Sequence, residues 1–333
     1  MSDRAALRLA TRGSPLALWQ AHRVAGLLER AGIASSLVVV ETEGDRRVDV
    51  PLQQLGGQGI FVKEVQAAVV RGDADAAVHS AKDLPASEEF GVPGLVLVCF
   101  PERADARDVL VGGGVRTLPT GSTVATGSAR RRVQLANLRP DLTFADLRGN
   151  LATRLAVVGE GGVAAVVVAR AALDRLGWDL PEGMELEVLD PATMLPQVGQ
   201  GALAVECRVD DEAARAALGA IDDAAVHRLV AAERAFLSEL GGGCTLPVGA
   251  HAELVGESAA RPGADGPSIR LAGMLAGPDG QVVLRHEQIG DRGDALGRAV
   301  ARFLLDDAGG RDLGEWPSSP DDGEPERPLR GSE

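Results

Sequence analysis

Apolar residues along the first two-thirds of the chain alternate between two spacings. Short apolar runs at 7–11, 37–41, 74–79 and 95–100 have the length and bounding turn residues of strands. Between them, at 16–30 and 61–71, apolar positions recur every three or four residues, the period of a helix with one buried face. The alternation then starts again: strand-like 109–111 and 123–125, a helix over 128–138, a strand at 143–147, a helix over 150–158, a buried strand at 163–169 and a helix over 171–176. Strand alternating with helix predicts parallel α/β layers. From residue 225 the order changes. A helix over 225–240, strands at 251–255, 269–275 and 282–289, and a closing helix over 294–305 form an α+β unit.

The two α/β series echo each other. Leu9-Ala10-Thr11-Arg12-Gly13-Ser14 stands beside Val124-Ala125-Thr126-Gly127-Ser128, and the run 74–79 beside 163–168. Two lobes of similar build follow as an expectation, with the charged stretch 101–108 and the Gly-containing stretch 194–208 as crossings between them. Ligands of such lobes belong in the crevice at the carboxyl ends of the strands, where Arg12, Ser14, His79, Lys82, Asp83 and Ser128 fall. Residues 43–59 read as a mobile loop and 311–333, with seven acids, three bases and four prolines, as a disordered tail.

Composition narrows the function classes. No apolar run among the 333 residues approaches the roughly 18–20 needed to span a bilayer, and the N-terminus lacks a secretory core, so a cytoplasmic protein is expected. Three cysteines far apart, without a C-x-x-C pair, argue against both a metal site and a disulfide framework. A net charge of −14 and 3% aromatics argue against nucleic acid as a partner. Lys63 and Lys82 are the only lysines among 34 basic residues, which marks them as candidate places where a compact ammonium is required.

Against that acidic total, residues 126–154 hold six arginines (Arg130, Arg131, Arg132, Arg139, Arg148, Arg154) and two acids. Such local reversal of sign focuses a field on an anionic ligand, and guanidinium forks match carboxylates two bonds at a time. Arg130 and Arg131 lie on the first turn of the predicted helix, where cations oppose the helix dipole unless an anion joins them. Asp83, at a strand end facing that cleft, can accept from an N–H, stabilise a cation or carry a proton. His79 reads as a satisfied strand-end histidine, and Cys99 and Cys207 as packing groups in apolar strands. Cys244, behind three glycines, has no packing reason to be a thiol and reads as a nucleophile or covalent anchor. The stretches GGQG (56–59) and VGQG (198–201) lack the P-loop lysine and read as hinge or lid material.

Read together, TRGSPLALWQAH, LGGQGIFVKE, ADAAVHSAKDLP, TGSARRRVQLANLRPDL, LRGNLATRL, LPQVGQGALAVECR and GGGCTLPVGAHAEL resemble the porphobilinogen deaminase (hydroxymethylbilane synthase) family, in family order from Thr11 to Leu254. The resemblance implies two lobes similar to the type II periplasmic-binding-protein fold, 1–100 with 201–219 and 104–197, and a small α+β domain at 224–310. It implies a transferase of tetrapyrrole (haem-precursor) biosynthesis that condenses four porphobilinogen molecules with loss of ammonia and hydrolyses the product to hydroxymethylbilane. Cys244 matches the cysteine that carries a dipyrromethane primer by a thioether, and Asp83 the catalytic carboxylate. Lys82, Thr126, Ser128, Arg130 and Arg131 match cofactor contacts. Arg12, Ser14, Phe61, Arg148, Arg154 and Arg175 match the substrate side. No metal, nucleic acid or membrane is implied, and a monomer is expected. Gln54 and Gln58 stand where family members can carry lysines, which changes the charge of the loop over the cleft. A two-lobed polycarboxylate-binding protein without catalysis is the competing class. A secreted binder is expected to show a signal peptide and a regulator a helix-turn-helix, and neither is visible.

Overall fold

In the computed structural model, residues 6–41, 62–86, 91–179, 183–241, 247–256 and 267–314 are described. The first strand, β1 (Leu7–Arg12), runs into α1 (Pro15–Arg30), which starts where the Ser14 hydroxyl accepts from the Ala17 N–H and Pro15 takes a first-turn position that has no N–H to lose. β2 (Ser35–Val40), α2 (Lys63–Val70), β3 (Ala76–Ser80) and β4 (Leu95–Cys99) follow. The chain then crosses to a second sheet: β5 (Asp108–Val111), β6 (Thr123–Ala125), α3 (Ala129–Leu138), β7 (Thr143–Ala145), α4 (Leu151–Ala156), β8 (Val163–Ala169), α5 (Arg170–Leu176) and β9 (Leu186–Leu189). It returns through β10 (Leu203–Arg208) and α6 (Glu212–Gly219) to a third unit made of α7 (Ala224–Glu239), β11 (Val248–Val255), β12 (Ser268–Ala276), β13 (Val283–Gly290) and α8 (Gly293–Arg302).

The two large sheets have one design. Their strand orders are β2-β1-β3-β10-β4 and β7-β6-β8-β5-β9, so the strand in fourth place comes in each case from the chain arriving out of the other lobe. That strand is antiparallel to both neighbours, while the other four run parallel. The sheets are therefore mixed, a correction to the parallel layers that the alternation predicts. The reason is geometric. The parallel strands end at the cleft, so a strand entering from the cleft must run the opposite way. The result is the two type II lobes expected from the resemblance, plus a small domain with an antiparallel three-stranded sheet.

The crossings lie side by side, with the Ala104 N–H on Gly201 O and the Leu203 N–H on Glu102 O, both at 3.0 Å. Each lobe has a core on both faces of its sheet, and two further apolar seams join the third domain to them. Ala81, Leu84, Phe100 and Ala202 pack with Val230 of α7, and Val133 and Leu195 pack with Met274 and Ala276 of β12. Cys99 and Cys207 are buried in strands, as their apolar settings predict. The pattern misses β9 and α6. β9 has four residues, and α6 buries just Ala214 and Leu218 along an alanine-rich face. Among the described residues no helix is long and apolar enough to cross a membrane, and no cluster of His, Cys, Asp and Glu suits a metal ion.

Candidate active site

The polar residues at the strand ends are held by short local devices. After β3, Ala81–Asp83 forms one 3-10 turn, fixed by the Ala81 N–H on Ala202 O of the return crossing. The turn leaves Asp83 exposed and Lys82 half-buried, with the Lys82 Nζ donating to Gln200 Oε1 at 3.3 Å. Desolvation pushes the Lys82 amine down to about 8, with Arg131 and Arg154 adding to that fall while Asp83 and Asp108 oppose it. Burial also lowers the Arg154 guanidinium, as do Arg131 and Arg148, and Asp83 acts against them. Lys82 and Asp83 of the first lobe thus share one electrostatic neighbourhood with Arg131, Arg148 and Arg154 of the second.

The arginine-rich segment divides cleanly. Arg139 binds Asp141 and the carbonyls of Val115 and Leu118, and Arg132 pairs with Asp146 at 2.8 Å. Those two arginines take up the segment's two acids. The remaining four, Arg130, Arg131, Arg148 and Arg154, are the four that the family motifs single out.

Arg130 and Arg131 are nonetheless buried, at 3% and 7% exposure, and already have an anion: the fully buried Asp108. One Asp108 oxygen takes Nε and Nη2 of Arg131 at 3.1 and 2.7 Å, and the other lies 2.7 Å from Arg130 Nη1. This corrects the expectation that cations on that first helical turn require a ligand, because a protein carboxylate offsets them. Arg131 is spent further on Val167 O. Arg130 donates from Nη1 to Leu195 O, while its Nε and Nη2 have no hydrogen-bond partner among the described residues. That edge is a two-pronged donor of the shape a carboxylate takes. Ser128 caps α3 by accepting from the Arg131 N–H, and Thr126 Oγ1 accepts from the Ser128 N–H at 3.2 Å.

The other candidates spread around the cleft. Arg154 donates to Gly149 O at 2.8 Å, Arg148 is exposed, and Arg12 and Ser14 are half-buried at the end of β1. Arg175 is buried, donates to Gly201 O at 2.6 Å and lies 5.4 Å over the Trp19 ring, so it joins α5 of one lobe to α1 of the other. Its Nε has no hydrogen-bond partner among the described residues. His79 Nε2 lies 3.1 Å from Glu206 Oε2 but makes no hydrogen bond among the described residues, so the expectation of a satisfied strand-end histidine is not met. Phe61, Cys244, Gln54, Gln58 and the GGQG stretch lie outside the described residues, as does most of the tail. Gly249, five positions after Cys244, packs directly over Arg130: a Cβ there meets Arg130 Cδ at 3.2 Å.

Residue-by-residue reading misses the groups that hold this site together. They are Asp108, Gln200, Arg103 and Glu233, the last fully buried on α7. Glu233 accepts from Arg103 of the first crossing, from the Gly199 N–H of the second and from the Ala252 N–H of β11. A lone acid inside an apolar helical stripe is the signal that marks Glu233 in the sequence. VGQG, read as hinge material, supplies Gly199, Gln200 and Gly201.

Two family models match the chain. That of the porphobilinogen deaminase dipyromethane cofactor binding domain covers residues 7–216, and that of the porphobilinogen deaminase C-terminal domain covers 227–306. A porphobilinogen deaminase of Syntrophobacter fumaroxidans is 42% identical over 95% of this chain and 99% of its own length. One of Acidothermus cellulolyticus is 43% identical over 97% of this chain and 95% of its own. Among solved structures, the VFT2 domain of Bordetella pertussis BvgS is similar at 17% identity and a TM-score of 0.42, over 69% of this chain and 91% of that domain.

Proposed function

The chain belongs to the porphobilinogen deaminase family, and from that premise we propose that it joins four porphobilinogen molecules head to tail, with loss of four ammonia molecules, and hydrolyses the product to hydroxymethylbilane. The observation that carries the site assignment is the Nε–Nη2 edge of the buried Arg130, which has no hydrogen-bond partner among the described residues. A buried guanidinium edge without a partner is costly, and a carboxylate satisfies it. Arg130, Arg131, Lys82, Thr126 and Ser128 suit a ligand rich in carboxylates, so the residues present fit the dipyrromethane of this family. When bound, that group supplies the pyrrole carbon from which the chain grows.

In this reading Cys244 holds the cofactor by a thioether. Arg12, Ser14, Phe61, Arg148, Arg154 and Arg175 bind the acetate and propionate groups of incoming substrate. Asp83 accepts from the substrate's pyrrole N–H, steadies the positive charge left when ammonia departs, and takes part in removing the ring proton after the next bond forms. A fixed carboxylate within hydrogen-bond reach of a developing cation is the largest catalytic contribution assigned here. Exposure of Asp83 at a turn over the cleft, within the field of Arg154, supports that role. The boundaries 1–100 with 201–219, 104–197 and 224–310, a monomeric state and a cytoplasmic location complete the proposal.

The test is the mass of the intact protein, with and without porphobilinogen. Added mass of one dipyrromethane unit, and further species heavier by whole substrate units, are expected. An unmodified mass in turning-over enzyme overturns the Cys244 assignment, and saturable binding of porphobilinogen without product identifies a binding protein instead.

A further inference from the structure

Asp108 opens β5, the strand that brings the chain into the second lobe, and none of its surface reaches solvent. Burial raises a carboxyl's proton affinity, yet Arg130 and Arg131 outweigh that and hold Asp108 ionised, well below the usual carboxylate range. The acid in turn fixes both guanidiniums: one oxygen accepts from two donors of Arg131, and the other forms an ion pair at 2.7 Å with Nη1 of Arg130. Held that way, Arg130 keeps a buried Nε–Nη2 edge without a hydrogen-bond partner among the described residues.

Gln200, on the return crossing and fully buried, continues the chain of contacts. Its Nε2 donates to Asp108 Oδ1 at 2.9 Å and to Ala106 O at 2.7 Å, and its Oε1 accepts from Lys82 Nζ. An amide is the group this position calls for, because one end must donate to an acid and the other accept from an ammonium. A carboxylate there meets Asp108, and an apolar side chain removes one donor from Asp108 and one acceptor from Lys82.

We infer that Asp108 and Gln200 are positioning residues of the cationic wall: Asp108 sets the two guanidiniums so that one edge of Arg130 is left for a ligand carboxylate, and Gln200 ties Lys82 of the first lobe to the same frame. The inference rests on the reading of Arg130, Arg131 and Lys82 as cofactor contacts.

The test uses the full-length enzyme as purified. Asp108→Asn is expected to reduce the fraction of chains carrying the cofactor mass about tenfold, the effect of one charged hydrogen bond. If that variant does not fold, Gln200→Leu and Gln200→Glu decide. With two lysines in the chain, reductive 13C-methylation gives a spectrum in which Lys82 is read directly. Its titration midpoint is expected to fall by about one pH unit in Gln200→Leu and to rise in Gln200→Glu. A residue that merely fills space moves neither midpoint. An Asp108→Asn enzyme loaded like wild type, or a Lys82 midpoint unmoved in both Gln200 variants, overturns the inference. A wild-type chain without added mass overturns the cofactor reading instead, and the Lys82 titration still reports on Gln200.

Discussion

Ser14 and Ser128 occupy the same place in the two lobes. Each ends the loop that follows the second strand of its sheet order, and each caps the next helix by accepting from the N–H three residues on, Ala17 in one and Arg131 in the other. The consequence differs because of what sits on that third residue. Ser14 fixes an alanine, whereas Ser128 fixes the backbone of an arginine that shares a buried carboxylate.

Replacing each serine by alanine separates the two roles. Loss of a cap costs about 0.5–1 kcal/mol in both cases, since both hydrogen bonds are long at 3.4 Å. Ser128→Ala is also expected to lower cofactor loading, read as intact mass, while Ser14→Ala leaves loading unchanged. Equal loading in the two variants contradicts the difference drawn here.

How much of this was legible in the sequence follows from the range of the interactions. The echo of LATRGS and VATGS marked two positions that prove topologically equivalent, because a strand end and a capping serine are both local. The strands 74–79 and 163–168 match third-place strands of the two sheets for the same reason. The partners of Asp108, Gln200 and Glu233 were not legible, because they lie 19 to 130 residues away. The types of Asp108 and Gln200 gave no pattern, one an acid in a charged crossing and the other an amide between glycines, whereas Glu233 carried the mark of an acid in an apolar helical stripe but nothing that named its partners. The antiparallel fourth strand was hidden likewise, since its direction depends on where the chain enters and not on its apolar run.

Asp83→Asn keeps the size and the turn but removes the charge. Turnover is expected to fall about 100-fold or more, with KM for porphobilinogen and the melting temperature near those of wild type. Asp83 is exposed, so stability gives little resistance to the change. Steady-state kinetics and a thermal melt on the same preparation check it, and near-normal turnover removes Asp83 from the chemistry.

Glu233→Gln tests the junction of the third domain with both crossings. The change leaves Arg103 buried, at 9% side-chain exposure, beside a neutral group, and breaking such a pair costs about 3–5 kcal/mol. Urea denaturation is expected to show the midpoint falling accordingly. A loss below about 1 kcal/mol means that solvent or a second acid reaches Arg103.

Lys82 makes both stability and binding depend on pH, in opposite directions. Its folded value of about 8 lies below the ordinary 10.5, so between the two the unfolded chain binds more protons. Stability of the unliganded protein therefore rises with pH across that window, and the penalty is fully present below about 8. Binding of carboxylates needs the protonated amine, so KM for porphobilinogen is expected to rise as pH passes about 8. Lys82→Gln should flatten that step; a profile of KM against pH that keeps it in the variant assigns the step to another group.

Gly249 and Gly219 make a matched pair for the seam over Arg130. A methyl group at 249 falls 2.8 Å from Pro196 O and 3.0 Å from Leu195 O, two backbone atoms that cannot give way cheaply, and 3.2 Å from Arg130 Cδ. The one at 219, at the end of α6, meets nothing within 4 Å. Gly219→Ala is accordingly expected to stabilise by about 0.4–1 kcal/mol, and Gly249→Ala to destabilise by about 1–3 kcal/mol. The second change is also expected to lift β11 away from Arg130. Intact mass should then show a larger unloaded fraction for Gly249→Ala than for any variant of equal melting temperature that lies away from the seam. If loading simply follows stability across that set, contact between the third domain and Arg130 has no part in seating the cofactor.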